Sequence, residues 1–281
     1  MRADRLTDVV TDHGEGAGWH PDDGVAKVVD VFAGDLLTVH EDGTVERRHV
    51  ADLAAAWRPR AGGGTVVAIE RGFAALDAQG AEEWRVEAFA DRNVRMNEGT
   101  CDPHGRFYCG SMAYDAAPGA GAMWRLDADR SVHHVSSGLT IPNGMVWAPD
   151  GATAYHVDTP RGTIDAWSND PRTGALTERR PVVNVGGGDP DGMTIDTEGG
   201  LWVAIWGGGA VHRYEPSGAL TQVIEVDAAQ VTSCAFVGAA LDTLVITTSR
   251  HGLDAAEDRW AGAVFTAHPG ARGLAPLPFS G

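Results

Sequence analysis

One turn motif returns along this chain at nearly even spacing. It reads Pro21-Asp22-Asp23-Gly24, Asp102-Pro103-His104-Gly105, Pro149-Asp150-Gly151 and Asp196-Thr197-Glu198-Gly199. Short aromatic or aliphatic runs follow it at residues 106–109, 153–157 and 200–204. Gly105 to Gly151 is 46 residues, Gly151 to Gly199 is 48, and Gly24 to Gly105 is 81, close to two such steps. Between these turns lies a second set, among them Glu41-Asp42-Gly43, Asp77-Ala78-Gln79-Gly80, Glu215-Pro216-Ser217-Gly218 and His268-Pro269-Gly270. Asp caps such turns and Gly supplies positive φ, so both sets predict hairpins. Two hairpins per period in the forties is the spacing of propeller blades. Six units of about 47 residues fill 281. The reading is an all-β chain, one six-bladed β-propeller domain over 1–281, with a pair of β-sandwiches as the competing architecture. The N-terminal segment is expected to pair near the C-terminal one and close the ring. The best helix candidate, 51–57, is short, Ala-rich and close to Pro59, and is read as a strand-edge or turn segment.

Composition narrows the function. Lys+Arg is 22 against 39 Asp+Glu, a formal charge of −17, which argues against nucleic acid or an anionic membrane as partner. No stretch reaches the roughly 18 apolar residues of a membrane helix. The start shows no apolar leader, and Cys101, Cys109 and Cys234 form no CxxC, so a reducing cytoplasm is the expected setting. The sole lysine, Lys27, sits in an apolar run, a poor place for Schiff-base or phosphate-loop chemistry.

In a propeller the innermost strands line a central channel, and residues from different blades converge there. Four polar residues interrupt the pattern just before an inner strand: Glu15, Asn97, Asn143 and Asp191, each followed by Gly directly or after one residue. Any one of them alone reads as a turn. Four in the same slot of successive blades point instead to an oxygen-only site for a hard divalent cation, with positions left for water and substrate.

The residues also carry a resemblance. Gly14-Glu15-Gly16 with Trp19, the stretches 95–112, 141–159 and 189–218, Thr232-Ser233-Cys234-Ala235-Phe236 and the ending from Gly273 resemble the gluconolactonase, regucalcin and luciferin-regenerating enzyme family. They cover nearly the whole chain in order. The resemblance implies a six-bladed propeller with one divalent cation, calcium or zinc first and magnesium or manganese next. It places metal ligands at Glu15, Asn143 and Asp191, and substrate contacts at Arg95 and Asn97. It also makes Asp191 the general base, with a water activated by the cation itself as the other route. The chain departs from the family pattern at Glu98, usually Asp, at Val231 and at Val237. It departs again at Ala113-Tyr114-Asp115, where some members carry a substrate-contacting Glu; the contact falls to Tyr114 or lapses.

The function this implies is a metal-dependent lactonase of carbohydrate metabolism, opening a small sugar lactone to the aldonic acid, as a monomer or small homo-oligomer. The alternatives are an ester or phosphotriester hydrolase on the same scaffold, a non-catalytic calcium-binding regulatory propeller, and a plain interaction scaffold. Fold alone does not separate them. Four further features carry less. His133-His134 and His212-Arg213 read as exposed strand residues. Gly186–Gly188 and Gly207–Gly209 read as blade loops. Trp19, Trp57, Trp147, Trp202 and Trp206 read as packing between blades or, less simply, as stacking on a sugar. Asp30 and Asp158 read equally as supports of the site and as acceptors for backbone N–H groups.

Overall fold

Short apolar runs between Asp- and Gly-rich turns can bury both faces only if sheets stack on each other. The computed structural model, which describes residues 1–254, 256 and 258–281, shows that solution. The described residues form 24 strands, numbered β1 to β24 in chain order, in six four-stranded antiparallel sheets. Five blades are built from consecutive strands, within residues 14–49, 54–87, 94–139, 142–184 and 189–225. The sixth combines β22 (Val231–Val237), β23 (Thr243–Thr248) and β24 (Ala263–Ala267) with β1 (Asp4–Val9) as its outermost strand. Asp4 pairs with Thr266 and Val9 with Ala263, so the N-terminal strand closes the ring as expected.

The inner strands are β2 (Gly14–His20), β6 (Ala54–Pro59), β10 (Val94–Cys101), β14 (Pro142–Trp147), β18 (Asp189–Ile195) and β22, each packed on the inner strands of the flanking blades. Burial falls outward along each blade. Thr65–Ile69 and Gly72–Leu76, the middle strands of the second blade, are buried throughout, whereas its outer strand Glu82–Glu87 is largely exposed and charged. That gradient is how strands with two covered faces coexist with a strongly acidic surface.

The Ala-rich stretch is corrected here: Ala54–Pro59 is the inner strand of the second blade, with Ala54, Ala55 and Ala56 fully buried. Small side chains fit where the blades converge, and that demand overrides the helix propensity of alanine. The only helical element among the described residues is a single 3₁₀ turn, Thr159–Arg161. No helix there is long and apolar enough to cross a membrane.

Candidate active site at the mouth of the channel

Each inner strand slips register against its neighbour at the same place. The slip falls between Glu15 and Gly18, Ala54 and Ala56, Met96 and Gly99, Pro142 and Met145, Pro190 and Met193, and Val231 and Ser233. A β-bulge adds a residue and re-aims its side chain. The bulges carry Gly16 with Ala17, Ala55, Asn97 with Glu98, Asn143 with Gly144, Asp191 with Gly192, and Thr232, while Glu15 stands at the edge of the first, still paired with Val29. The Asn-Gly and Asp-Gly pairs are therefore not hairpin turns. Their glycines answer crowding at the axis: a Cβ on Gly144 would lie 2.5 Å from the Met193 nitrogen and 2.8 Å from the Asp191 carbonyl oxygen.

Glu15, Asn143 and Asp191 are buried side by side in this ring. Burial, then the charges of Asp191 and Glu98, push the Glu15 carboxyl well above its ordinary range. Burial and the Glu98 charge do the same to Asp191. Glu15 Oε2, Asp191 Oδ1 and Glu98 Oε2 are buried with no hydrogen-bond donor among the described residues. Carboxylate oxygens left this way are costly unless a cation or a proton meets them. Among the described residues no three His, Cys, Asp or Glu side chains form a ready metal cage. The donor set is two carboxylates and one carboxamide, which suits a hard divalent cation.

The carboxamide is held from two sides. Asn97 Nδ2 donates to Asn143 Oδ1 at 2.9 Å, and Asn143 Nδ2 donates to Thr159 Oγ1 at 2.8 Å. The Thr159 hydroxyl in turn donates to the carbonyl oxygen of Pro190, beside Asp191. Arg95 donates to Asn97 Oδ1 at 2.8 Å. Its guanidinium is buried, lies 5.3 Å from the centre of the Phe32 ring, and has no carboxylate within ion-pairing distance among the described residues. Asp30 accepts from the backbone N–H groups of Asp12 and His13, and Asp158 from those of Thr140 and Ile141. Both acids are thus backbone acceptors in the turns that precede Glu15 and Asn143.

Outside this ring, His13 faces Glu15 with Nε2 at 3.9 Å from Oε1, while its Nδ1 meets Ser249 Oγ at 2.7 Å. Burial and the charge of Arg95 lower its pKa to about 3, so the ring is neutral. Phe32, Trp206 and His251 pack around it. Tyr114 is half exposed at the rim, apart from the Glu15 ring, and its hydroxyl donates to Glu70 Oε1 at 2.7 Å. Glu98, whose charge reaches both Glu15 and Asp191, also lines a cavity of about 230 Å³ with Arg58, Trp57, Trp147, Phe236 and residues 274–277. Its Oε1 accepts from the Gly99 N–H and lies 3.6 Å from the Arg58 guanidinium.

Of the remaining candidates, Trp57, Trp147 and Trp202 are buried packing residues, and Trp206 alone lies beside His13 at the mouth. His133 and His134 are exposed, but His212 and Arg213 are not. His212 bonds the Tyr214 hydroxyl, and Arg213 pairs with the buried Asp196 at 2.7 Å, on a middle strand rather than an outer one. Glu70, Thr159, His13 and Ser249 were not among the candidates read from the sequence.

The family described as SMP-30/gluconolactonase/LRE-like region matches residues 13–250. A regucalcin of Danio rerio is 33% identical over 280 residues, covering 95% of each chain. A pentonolactonase of Haloferax volcanii is 34% identical over 258 residues, covering 89% of this chain and 86% of that one. The crystal structure of a calcium-binding protein, regucalcin, from Agrobacterium tumefaciens superposes with a TM-score of 0.92 at 27% identity, over 99% of this chain and 97% of that one. With its six blades and the matched stretch spanning five of them and two of the four strands of the sixth, this chain belongs to the SMP-30/gluconolactonase/LRE-like family.

Proposed function

We propose that the chain is a metal-dependent lactonase that opens a small sugar lactone to its aldonic acid. One observation carries the reading: two inner-strand carboxylates with unpartnered buried oxygens, and a carboxamide, lie beside a buried guanidinium that has no carboxylate within ion-pairing distance among the described residues. A bare cation buffer has no use for Arg95; a hydrolase does, because ring oxygens need donors. The relative named pentonolactonase supports the substrate class.

Glu15, Asn143 and Asp191 would hold the cation, calcium or zinc, which when bound supplies charge to the lactone carbonyl oxygen. Arg95 orients the substrate by donating to its oxygens, and Asn97 Oδ1 accepts from a substrate hydroxyl, both Asn97 N–H groups being held by Pro142 and Asn143. Asp191 Oδ1, free of any protein donor, accepts a proton from the attacking water. The water oxygen bonds to the carbonyl carbon, the ring C–O bond breaks, and the departing oxygen takes the proton held on Asp191 to become a hydroxyl, which returns Asp191 to its carboxylate form. The raised basicity that burial and Glu98 give Asp191 would be weakened by a bound cation, and a weak base suffices because lactones are activated esters.

The test is a panel of aldonolactones and simple esters with a pH indicator, with and without chelator. Chelator-sensitive lactone hydrolysis is expected. Cation binding with no turnover of any lactone or ester would move the protein to the regulatory class instead.

A further inference from the structure

The residue just after each blade's second strand forms a second ring, outside the bulge ring. In chain order it is Val31, Glu70, Tyr114, Thr159, Gly207 and Ser249. Two of these turn inward as supports: Thr159 holds Asn143, and Ser249 holds His13. Glu70 and Tyr114, in neighbouring blades, instead bond to each other.

Their arrangement is that of an acceptor held ready. Glu70 Oε1 receives the Tyr114 hydroxyl at 2.7 Å, and Oε2 receives the Arg71 guanidinium at 2.6 Å. The Glu70 carbonyl oxygen accepts from the Met96 N–H, which ties its backbone to β10 beside Arg95. Each carboxylate oxygen keeps a lone pair, and the side chain is about one-third open to solvent at 29%. The Tyr114 hydroxyl, pushed up to about 12 by burial and by Glu70, stays a neutral donor. Arg95 and Tyr114 lie close enough for the guanidinium charge to act on the phenol. Polar groups thus run outward in two bonded sets, Asn143–Asn97–Arg95 and Tyr114–Glu70, the second held beside Arg95 by the backbone bonds of Tyr114 to Asn93 and of Met96 to Glu70. The inner set serves the reacting carbonyl. The outer set presents a fixed carboxylate to whatever the rest of the substrate carries.

We propose that Glu70, positioned by Tyr114 and Arg71, is the specificity-determining acceptor for substrate hydroxyls remote from the lactone carbonyl. The inference rests on the lactonase reading. A fixed carboxylate favours O–H donors and disfavours substrates that leave it unpaired, so it selects polyhydroxylated lactones over bare ones of the same ring size.

The experiment compares ribono-γ-lactone with γ-butyrolactone, with saturating cation, in the wild type, Glu70→Ala and Tyr114→Phe. The quantity read is the ratio of kcat/KM for the two substrates. Glu70→Ala should lower this ratio about tenfold or more, through KM of the hydroxylated lactone. Tyr114→Phe should lower it less, because the carboxylate stays but loses one anchor. A ratio within twofold of wild type in Glu70→Ala, or equal losses on both substrates, overturns the proposal in favour of a turn-stabilising role. If the wild type opens neither lactone, the lactonase reading has failed, and calorimetric titration of D-glucitol into the cation-loaded protein decides the rest. Polyol binding lost in Glu70→Ala sustains hydroxyl recognition at Glu70; equal binding in both, or none to the wild type, overturns it.

Discussion

The amide nitrogen of Asn97 donates to the amide oxygen of Asn143 across the boundary between the third and fourth blades, at 2.9 Å. Because Asn143 Nδ2 is already committed to Thr159, the amide has one orientation, with its oxygen toward Asn97 and the axis. The proposed ligand oxygen is thus set before any cation arrives.

Thr159→Val should therefore weaken cation binding without removing any ligand. The valine cannot accept from Asn143 or donate to the Pro190 carbonyl, so the amide is free to flip. Loss of such outer supports typically costs ~10- to 100-fold in metal affinity. Thr159→Ser keeps the hydroxyl and should stay near wild type. A calcium titration of the three proteins checks this, and equal affinities would show that Asn97 alone orients the amide.

Much of this geometry was legible in the chain and some was not, for identifiable reasons. The blade period could be read because Asp102, Asp150 and Asp196 each accept backbone N–H groups in the turn that follows an inner strand. The second blade uses Arg60-Ala61-Gly62-Gly63-Gly64 at that turn and has no such Asp, so its step was hidden inside the 81-residue interval from Gly24 to Gly105. Glu15, Asn97, Asn143 and Asp191 stood out because a polar residue before Gly breaks an apolar inner strand. Glu70, Thr159 and Ser249 did not, because a polar residue after a strand looks like any loop. Only the ring of equivalent positions, visible once the blades are aligned in space, separates them from ordinary turn residues. Arg213 failed in the opposite sense: a charged residue on a middle strand reads as exposed unless its partner Asp196 is known.

Cation binding should expel protons. Burial and neighbouring carboxylates hold the Glu15 and Asp191 carboxyls well above their unfolded values. In the cation-free protein their contribution to stability is fully present below the unfolded carboxylate range. It is lost as pH rises through the folded values. A cation needs the ionised oxygens, so its affinity and its stabilising effect should grow with pH. Calorimetry in two buffers of different ionisation heat should show proton release, and the Tm gain on adding calcium should be larger at pH 8 than at pH 5.5. Identical heats in both buffers would mean the carboxyls are already ionised.

His156 supplies an independent acid-sensitive point, away from the Glu15 ring. Both of its ring nitrogens are buried without partners, and burial, then the Arg179 charge, lowers its pKa to about 3. The unfolded imidazole titrates near 6.5, so this group's contribution is complete above that value and is lost as pH falls toward about 3. Between pH 7 and pH 5 the loss is roughly 2 kcal/mol. His156→Leu, similar in volume and apolar, should raise the urea midpoint at pH 7 and flatten its fall toward pH 5. A lower midpoint at pH 7 would reveal a partner for the ring, such as a buried water.

Asp191→Asn and Glu15→Gln should fail in different ways. The first substitution keeps a ligand oxygen of the proposed set at nearly the same place, and the proposed set already includes one neutral amide oxygen, that of Asn143. Some cation binding should therefore survive at raised concentration. The new amide cannot take a proton from water, and Glu98 is a poor substitute, since its Oε1 is engaged by the Gly99 N–H and the Arg58 guanidinium. General-base contributions are typically ~100- to 10,000-fold, so kcat should fall by that order and stay low at saturating cation. Glu15→Gln loses charge from the ligand set but no proton acceptor, and excess cation should restore much of its rate. Initial rates measured along a metal titration separate the two. Full rescue of Asp191→Asn would reduce Asp191 to a ligand, and the proton would then have to leave the attacking water by a route that does not involve this side chain.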